Sequence, residues 1–502
     1  MVSIILTTIF TYFSCKYIID ILQSEYKKVK LLHDERTHSG YTSPTNSVPL
    51  YQKSSINFVL IFALLLMNFS NIIMFGYHHG LCWCYYPEHF STTLTRYLKP
   101  QSPGTCERDQ ICFAVLNLSE NPQTDVIIKF FTQTSFDTSH VELFSDDGRR
   151  LQKIKCRMVN LNQYQWEVYD RWIHTCQVLG LNEGTKYRFV ISAESDGGHY
   201  MVKDKTRRFK TFNKSGGVVF ASGGDLGAEN QVMDIIVAAS NSSPDFILIG
   251  GDVVYDDGML SCSSRWYNFL RDYDRVAVTK EGLMIPLLTS IGNHEAKYGL
   301  FGSKAIDALP YLVFMNHQIG KYDTDQSLFH SHLLTDKCSL LVLDSGVVNK
   351  HKHQVNWMKD MWSGKLSTTK KMAVYHAPLY PSSSDVVDDM VLKGKTHWGP
   401  LFSSYNLSIV FENHDHTYSR SKRIYNGQII QGHDNGYGTV FLGDGAMGVL
   451  YPQAIKSPFH QELKIKKHIF IVRCHDDGFE MKAVDDKGVT FDEMSRPNWP
   501  KS

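Results

Sequence analysis

The sequence predicts an α/β protein, preceded by an all-β segment and, before that, by one membrane-spanning helix. Three observations predict this. After Gly216, strand-like apolar runs alternate with helical patterns such as residues 229–240, as βα units require. Residues 100–213 instead alternate short β-rich runs with turns, the pattern of a sandwich. Residues 56–76 carry no charge, and at about 1.5 Å per residue they are just long enough to cross a hydrocarbon core.

Taken in order, the 502 residues hold 52 Lys+Arg against 51 Asp+Glu, a balance that gives no reason to expect nucleic acid as a partner. The first 22 residues are apolar but interrupted by Lys16 and Asp20, with no basic residue ahead of them, which makes a poor signal peptide. Residues 1–55 contain Lys27, Lys28, Lys30, Arg36 and Lys53, whereas little basic charge follows the 56–76 span until Arg96. The positive-inside rule then makes 1–55 a cytosolic tail and 77–99 a linker to an extracellular or lumenal remainder. A cleaved anchor, giving a secreted protein, and a buried core helix are the alternatives. Nine of the ten cysteines follow the span; Cys106 with Cys112 and Cys156 with Cys176 are spaced as local disulfides, while Cys338 is expected as a buried thiol. Sequons at Asn117, Asn213, Asn241 and Asn406 fit a glycoprotein.

Within 100–213, strand-like residues 125–131 and 141–144 precede the turn at Asp146-Asp147-Gly148. Leu181, a turn, and then Tyr187 on an alternating strand resemble a fibronectin type III sandwich, either a binding module or, more simply, a support for the α/β half of the chain.

From 216 to 502, five apolar runs end in residues of metal-ligand type. Residues 218–221 lead to Asp225, 246–249 to Asp252 and Tyr255, 287–292 to Asn293-His294-Glu295, 372–375 to His376, and 407–411 to His414-Asp415-His416. Active sites of open α/β sheets collect at the carboxyl ends of strands, so this recurrence suits a layered metalloenzyme. Glycines 250 and 251 let the chain turn sharply, so Asp252 and Tyr255 can converge; a phenolate suits a trivalent ion such as Fe3+. Taken alone, that stretch is equally an Asx turn with a surface tyrosine.

The ordered set Asp225-x-Gly227, Gly251-Asp252-x-x-Tyr255, Gly292-Asn293-His294-Glu295, His376 and His414-x-His416 resembles the purple acid phosphatases, within the calcineurin-like phosphoesterases. The resemblance implies two sheets packed face to face with helices outside, with the fibronectin-like segment ahead of the catalytic domain. It also implies that Asp225, Tyr255 and His416 hold Fe3+, that Asn293, His376 and His414 hold a divalent ion (Fe2+, Zn2+ or Mn2+), and that Asp252 bridges the two. His294 is then catalytic, and with Asn293 it binds substrate. The expected activity is hydrolysis of small phosphate monoesters by a metal-bound hydroxide, in mild acid, and a homodimer is among the assemblies to expect. A phosphodiesterase or nucleotide pyrophosphatase on the same metals, or a non-enzymatic adhesion protein, are the alternatives. Arg265-Trp266 and Tyr418-x-Arg420 also fall where family motifs run, though packing and surface charge account for them. Asn413 stands where the family has glycine, and is expected to occupy a positive-φ position that Asn tolerates.

Overall fold

Nine strands come first: β1 (Ile111–Asn117), β2 (Val126–Thr132), β3 (Thr138–Ser145), β4 (Arg150–Lys155), β5 (Arg157–Asn160), β6 (Trp172–Val178), β7 (Lys186–Ser195), β8 (Tyr200–Lys203) and β9 (Arg207–Lys210). This is a computed structural model describing residues 106, 110–160, 172–198, 200–227, 232–259, 262–315, 328–383, 388–430 and 437–497. One face of the sandwich is β1-β2-β6-β5 and the other is β4-β3-β7-β8, with β9 also paired to β7. Alternating side chains from both meet inside: Leu116, Ile128 and Phe130 against Leu143, Phe189 and Phe209, with the Cys156–Cys176 disulfide in the same core. The Asn182 N–H donates to the Tyr187 hydroxyl (2.8 Å), closing the turn before β7.

The α/β half contains β10 (Val218–Gly223), β11 (Phe246–Ile249), β12 (Leu287–Thr289), β13 (His330–Thr335), β14 (Cys338–Val342), β15 (Lys370–Tyr375), β16 (Ile409–Glu412) and β17 (Tyr418–Ser421). The short pair β18 (Ile424–Tyr425) and β19 (Gln428–Ile429) comes next, then β20 (Val440–Gly443), β21 (His460–Lys464), β22 (Ile469–His475), β23 (Gly478–Val484) and β24 (Thr490–Pro497). β10, β11 and β12 are parallel neighbours, as are β14, β15, β16 and β20 in a second sheet. The two sheets face each other across Phe220, Phe246, Leu248, Leu340, Val374 and Phe411. Helices α1 (Val232–Asn241) and α2 (Ser263–Val276) cover the outside of the first sheet through Ile235, Ile236, Trp266 and Leu270. On the second sheet's outside, His351–Ser363 and Gly399–Ser404 contribute Met358, Trp362 and Phe402. Strands buried on both faces read as continuous apolar runs, which is why residues 246–249 and 372–375 were legible.

The expected closing hairpin is β22 with β23, and β24 extends it by a third strand. The sandwich does not end where the α/β half begins: β1 pairs with β12 at Asn117↔Leu287, making one ten-stranded sheet. Arg207 clamps Asp274 of α2 with two hydrogen bonds, one of 3.0 Å, and Lys129 donates to Phe314 O (2.7 Å).

Two expectations are corrected. Cys338 is not a thiol; it bridges to Cys474, 136 residues away, because β14 and β22 present these ends to each other across the inter-sheet core. Asn117 is fully buried at the sheet junction, so a glycan cannot be attached there in the folded chain, whereas Asn213, Asn241 and Asn406 are exposed. The expected span, 56–76, lies outside the described residues, and among those no helix is long and apolar enough to cross a membrane. Cys106–Cys112 is the third disulfide among the described residues.

Buried histidines away from the strand ends set an acid limit. Burial pushes His174 down to about 3 and His332 and His468 down to about 4; the His174 ring sits between Thr132 Oγ1 and Ser139 Oγ, 2.9 Å from each. In the unfolded chain these rings take a proton near pH 6.5, so between that value and the folded one the unfolded state binds more protons. Stability is therefore full above about pH 6.5 and falls as pH drops through the window, by about 2 kcal/mol per ring at pH 5. Denaturant unfolding at pH 7 and 5 should show this loss, and His174→Gln should reduce it; an unchanged difference in that variant would mean that His174 is not a source of the acid sensitivity.

Candidate metal centre

The loops that leave β10, β11, β12, β15 and β16 carry Asp225, Asp252 with Tyr255, Asn293, His376, and His414 with His416. Parallel pairing puts these exits on one edge of each sheet, and the facing of the sheets brings the two edges together. Left-handed backbone occurs at Asp225 (φ 54°), Asp252 (φ 51°), Tyr255 (φ 53°) and His414 (φ 69°). Each costs on the order of 1 kcal/mol for a non-glycine residue, so the surroundings must enforce it.

The side chains form two groups. In one, Tyr255 Oη lies 3.2 Å from His416 Nε2, which is 3.1 Å from Asp225 Oδ1. In the other, Asn293 Oδ1 lies 2.9 Å from His376 Nε2 and 3.0 Å from His414 Nδ1. His376 Nε2 is also 3.3 Å from Asp252 Oδ2, and the donor atoms of Asp252, His376 and His414 all fall within 4.8 Å of one another. Leu226 N–H donates to Asp252 O (3.0 Å), tying the two groups' loops together.

With neutral rings the second group has at most one hydrogen, that on His414 Nδ1 (3.0 Å from Asn293 Oδ1 and 3.3 Å from His376 Nε2), to share among Asn293 Oδ1, Asp252 Oδ2 and His376 Nε2. Asn293 Nδ2 donates to Gly299 O (3.0 Å), which turns Oδ1 inward. His376 Nδ1 faces Gly250 O at 3.1 Å, and a carbonyl only accepts, so Nδ1 carries the hydrogen and Nε2 offers a bare lone pair. That lone pair faces Asn293 Oδ1 and Asp252 Oδ2, both acceptors. A cation at this point would relieve the clash, and the imidazole and carboxylate donors suit one. The same field favours a positive ring: burial opposes charging His376, but Asp252 and Asp225 outweigh it and raise the ring to about 10. Burial likewise raises Asp252, and the His376, His294 and His414 rings overcome this and hold it below the usual carboxylate range. His414 is pushed down to about 4 by burial and by His376.

The His294 ring belongs to neither group: its Nδ1 lies 2.6 Å from Asp257 Oδ1 and its ring 4.5 Å from that of Tyr255. Burial opposes its charge, and Asp252 and Asp257 raise it to about 9.

Several residues that sequence reasoning gave no role shape this edge. Glu295 accepts the N–H groups of Asp252 (2.7 Å), Val253 (2.7 Å) and Gly292 (2.8 Å). Arg265 donates to Tyr255 O (2.5 Å), and Tyr451 stacks on His416 at 4.2 Å. Tyr418 and Arg420 are engaged elsewhere, with Asp492. The positive φ expected at Asn413 belongs to the next residue, His414, whose N–H donates to Asp225 Oδ2 (2.9 Å).

Residues 222–418 match the family model described as Calcineurin-like phosphoesterase. Acid phosphatase type 7 of Mus musculus is 24% identical over 397 residues, covering 70% of this chain and 81% of that protein. Purple acid phosphatase 15 of Arabidopsis thaliana is 26% identical over 278 residues, covering 51% of each, so the match spans about half of the plant protein. The solved structure of a purple acid phosphatase from yellow lupin (Lupinus luteus) seeds is similar with a TM-score of 0.65 at 14% identity, covering 78% of this chain and 74% of that one, a likeness of fold. The strand-end residues thus lie within the stretch that matches the calcineurin-like phosphoesterase model, and proteins similar to this chain include purple acid phosphatases.

Proposed function

We propose that the chain is a binuclear metal-dependent acid phosphatase acting on small phosphate monoesters. The observation that carries this is the meeting of lone pairs from Asp252, Asn293, His376 and His414 beside the Asp225–Tyr255–His416 group. In this reading Asp225, Tyr255 and His416 would hold Fe3+, Asn293, His376 and His414 would hold Fe2+, Zn2+ or Mn2+, and Asp252 would serve both. When bound, the pair supplies positive charge for the phosphate and acidifies water for attack in mild acid. The chain's own work is to hold these donors at fixed separation and to move a proton. Asp257 Oδ1 accepts the hydrogen on His294 Nδ1, so that a ring protonated in mild acid has its Nε2–H left to meet the phosphate or to protonate the departing alkoxide. Three disulfides among the described residues suit an oxidising compartment, so we place the domain outside the cytosol. The β1–β9 sandwich, fibronectin type III-like in this reading, serves as a support joined to the catalytic sheet.

Purified protein assayed on a phosphate monoester and a diester side by side tests the reading: faster monoester turnover at mildly acidic pH supports it, and preference for the diester would replace it with a phosphodiesterase. The ferric assignment has its own measurement. A phenolate on Fe3+ absorbs in the visible, so the loaded protein should be purple and Tyr255→Phe colourless. Colour that survives in Tyr255→Phe would displace Tyr255 from the ion.

A further inference from the structure

Asn413 is 1% exposed, directly behind His414. Its N–H donates to His376 O (2.9 Å) and its Nδ2 to Tyr375 O (3.0 Å). Its amide also lies between two glycines. A Cβ on Gly250 would fall 2.0 Å from Asn413 Nδ2, with its three nearest atoms all in that amide, and a Cβ on Gly224 would fall 2.1 Å from Asn413 Oδ1. Neither glycine has a positive φ, so backbone conformation does not require glycine at either position. The room taken by the Asn413 amide does.

We propose that Asn413 is a positioning residue, its amide wedged against Gly224 and Gly250 so that the loops carrying Asp225, Asp252, His376 and His414 are held as one unit. This rests on the phosphatase reading of that site. Gly224 precedes Asp225, whose N–H donates to Gly251 O (3.0 Å), and the Gly250 carbonyl fixes the His376 tautomer at 3.1 Å. The Tyr375 carbonyl that Asn413 holds adjoins His376 itself. Losing the amide therefore loosens ligands on both sheets, and substitution of Asn413 by glycine or alanine is not silent.

The test is a cycle of Asn413→Ala, Gly250→Ala and the double variant. It is read by the thermal midpoint of metal-free protein, metal retained per chain under dilution, and kcat and KM on a phosphate monoester. Each single variant should lower the midpoint by about 2 °C or more. Each should also cut metal affinity or kcat by about 10–100-fold with KM little changed. The double variant should recover much of the Gly250→Ala loss, because the new methyl enters space the amide has left. Gly224→Ala, whose methyl meets Asn413 Oδ1, replaces Gly250→Ala if the latter yields no folded protein. Additive losses in the double variant would overturn the steric coupling, and wild-type metal retention and kcat in Asn413→Ala would overturn the positioning role. If the unmodified chain neither binds metal nor cleaves the ester, the phosphatase reading fails, while the midpoints still decide the packing.

Discussion

Asp252→Asn is expected to lose metal and turnover together while the fold survives. Asp252 is 1% exposed; its Oδ1 accepts the His294 N–H (2.9 Å) and its Oδ2 lies 3.3 Å from His376 Nε2. Asparagine is isosteric, can keep the His294 bond through its oxygen, and tolerates the left-handed backbone at this position (φ 51°). What it lacks is the anionic charge. Without it the cluster of His376, His414 and His294 has little to offset a cation, and in the proposed centre no other side chain holds both ions. Turnover should fall by more than about 100-fold, beyond what removal of an outer partner of a metal ligand costs. Metal analysis and steady-state kinetics on one preparation check this. Both metals retained at a near-normal rate would take Asp252 out of the centre.

The parts of this edge legible in the sequence are those written locally. A buried parallel strand is a short apolar run, its exit is marked by glycine or a polar residue, and Asp225, Asp252, Asn293, His376 and His414 each follow such an exit within a few residues. Residues whose meaning depends on a distant partner left no such mark. Glu295 could be seen beside Asn293 and His294, but its task is to receive N–H groups from a loop 43 residues away. Asp257 finds His294 at a separation of 37, and Cys338 finds Cys474 at 136. The pairing of β1 with β12 likewise has no local signature, since it joins residue 117 to residue 287. Asn413 was misplaced for a different reason: asking which residue tolerates a positive φ does not say which residue needs one. His414 needs it so that its N–H can reach Asp225.

Glu295→Gln should give the second large effect, through the backbone and not through a ligand. The carboxylate takes the Asp252 and Gly292 N–H groups on Oε2 and the Val253 N–H on Oε1. These three bonds hold the Asp252 loop in its left-handed turn. Burial and the nearby Asp252 carboxylate raise Glu295 to about 7, opposed by these donors, so the group depends on them to keep its charge. Glutamine retains one oxygen for Asp252 and Gly292 but aims an NH2 at the Val253 N–H, donor against donor at a fully buried side chain. One buried donor left unsatisfied and the loss of charge-assisted bonds together cost about 3 kcal/mol. That corresponds to a fall of roughly 4–5 °C in the thermal midpoint of a unit this large. Because Asp252 is then free to leave its strained φ, metal affinity should drop about 10–100-fold as well, and excess metal should restore part of the turnover. This recovery separates Glu295 from Asp252, for which added metal should restore little. A Glu295→Gln protein with wild-type midpoint and metal content would show that the Asp252 turn is held by something other than these three bonds.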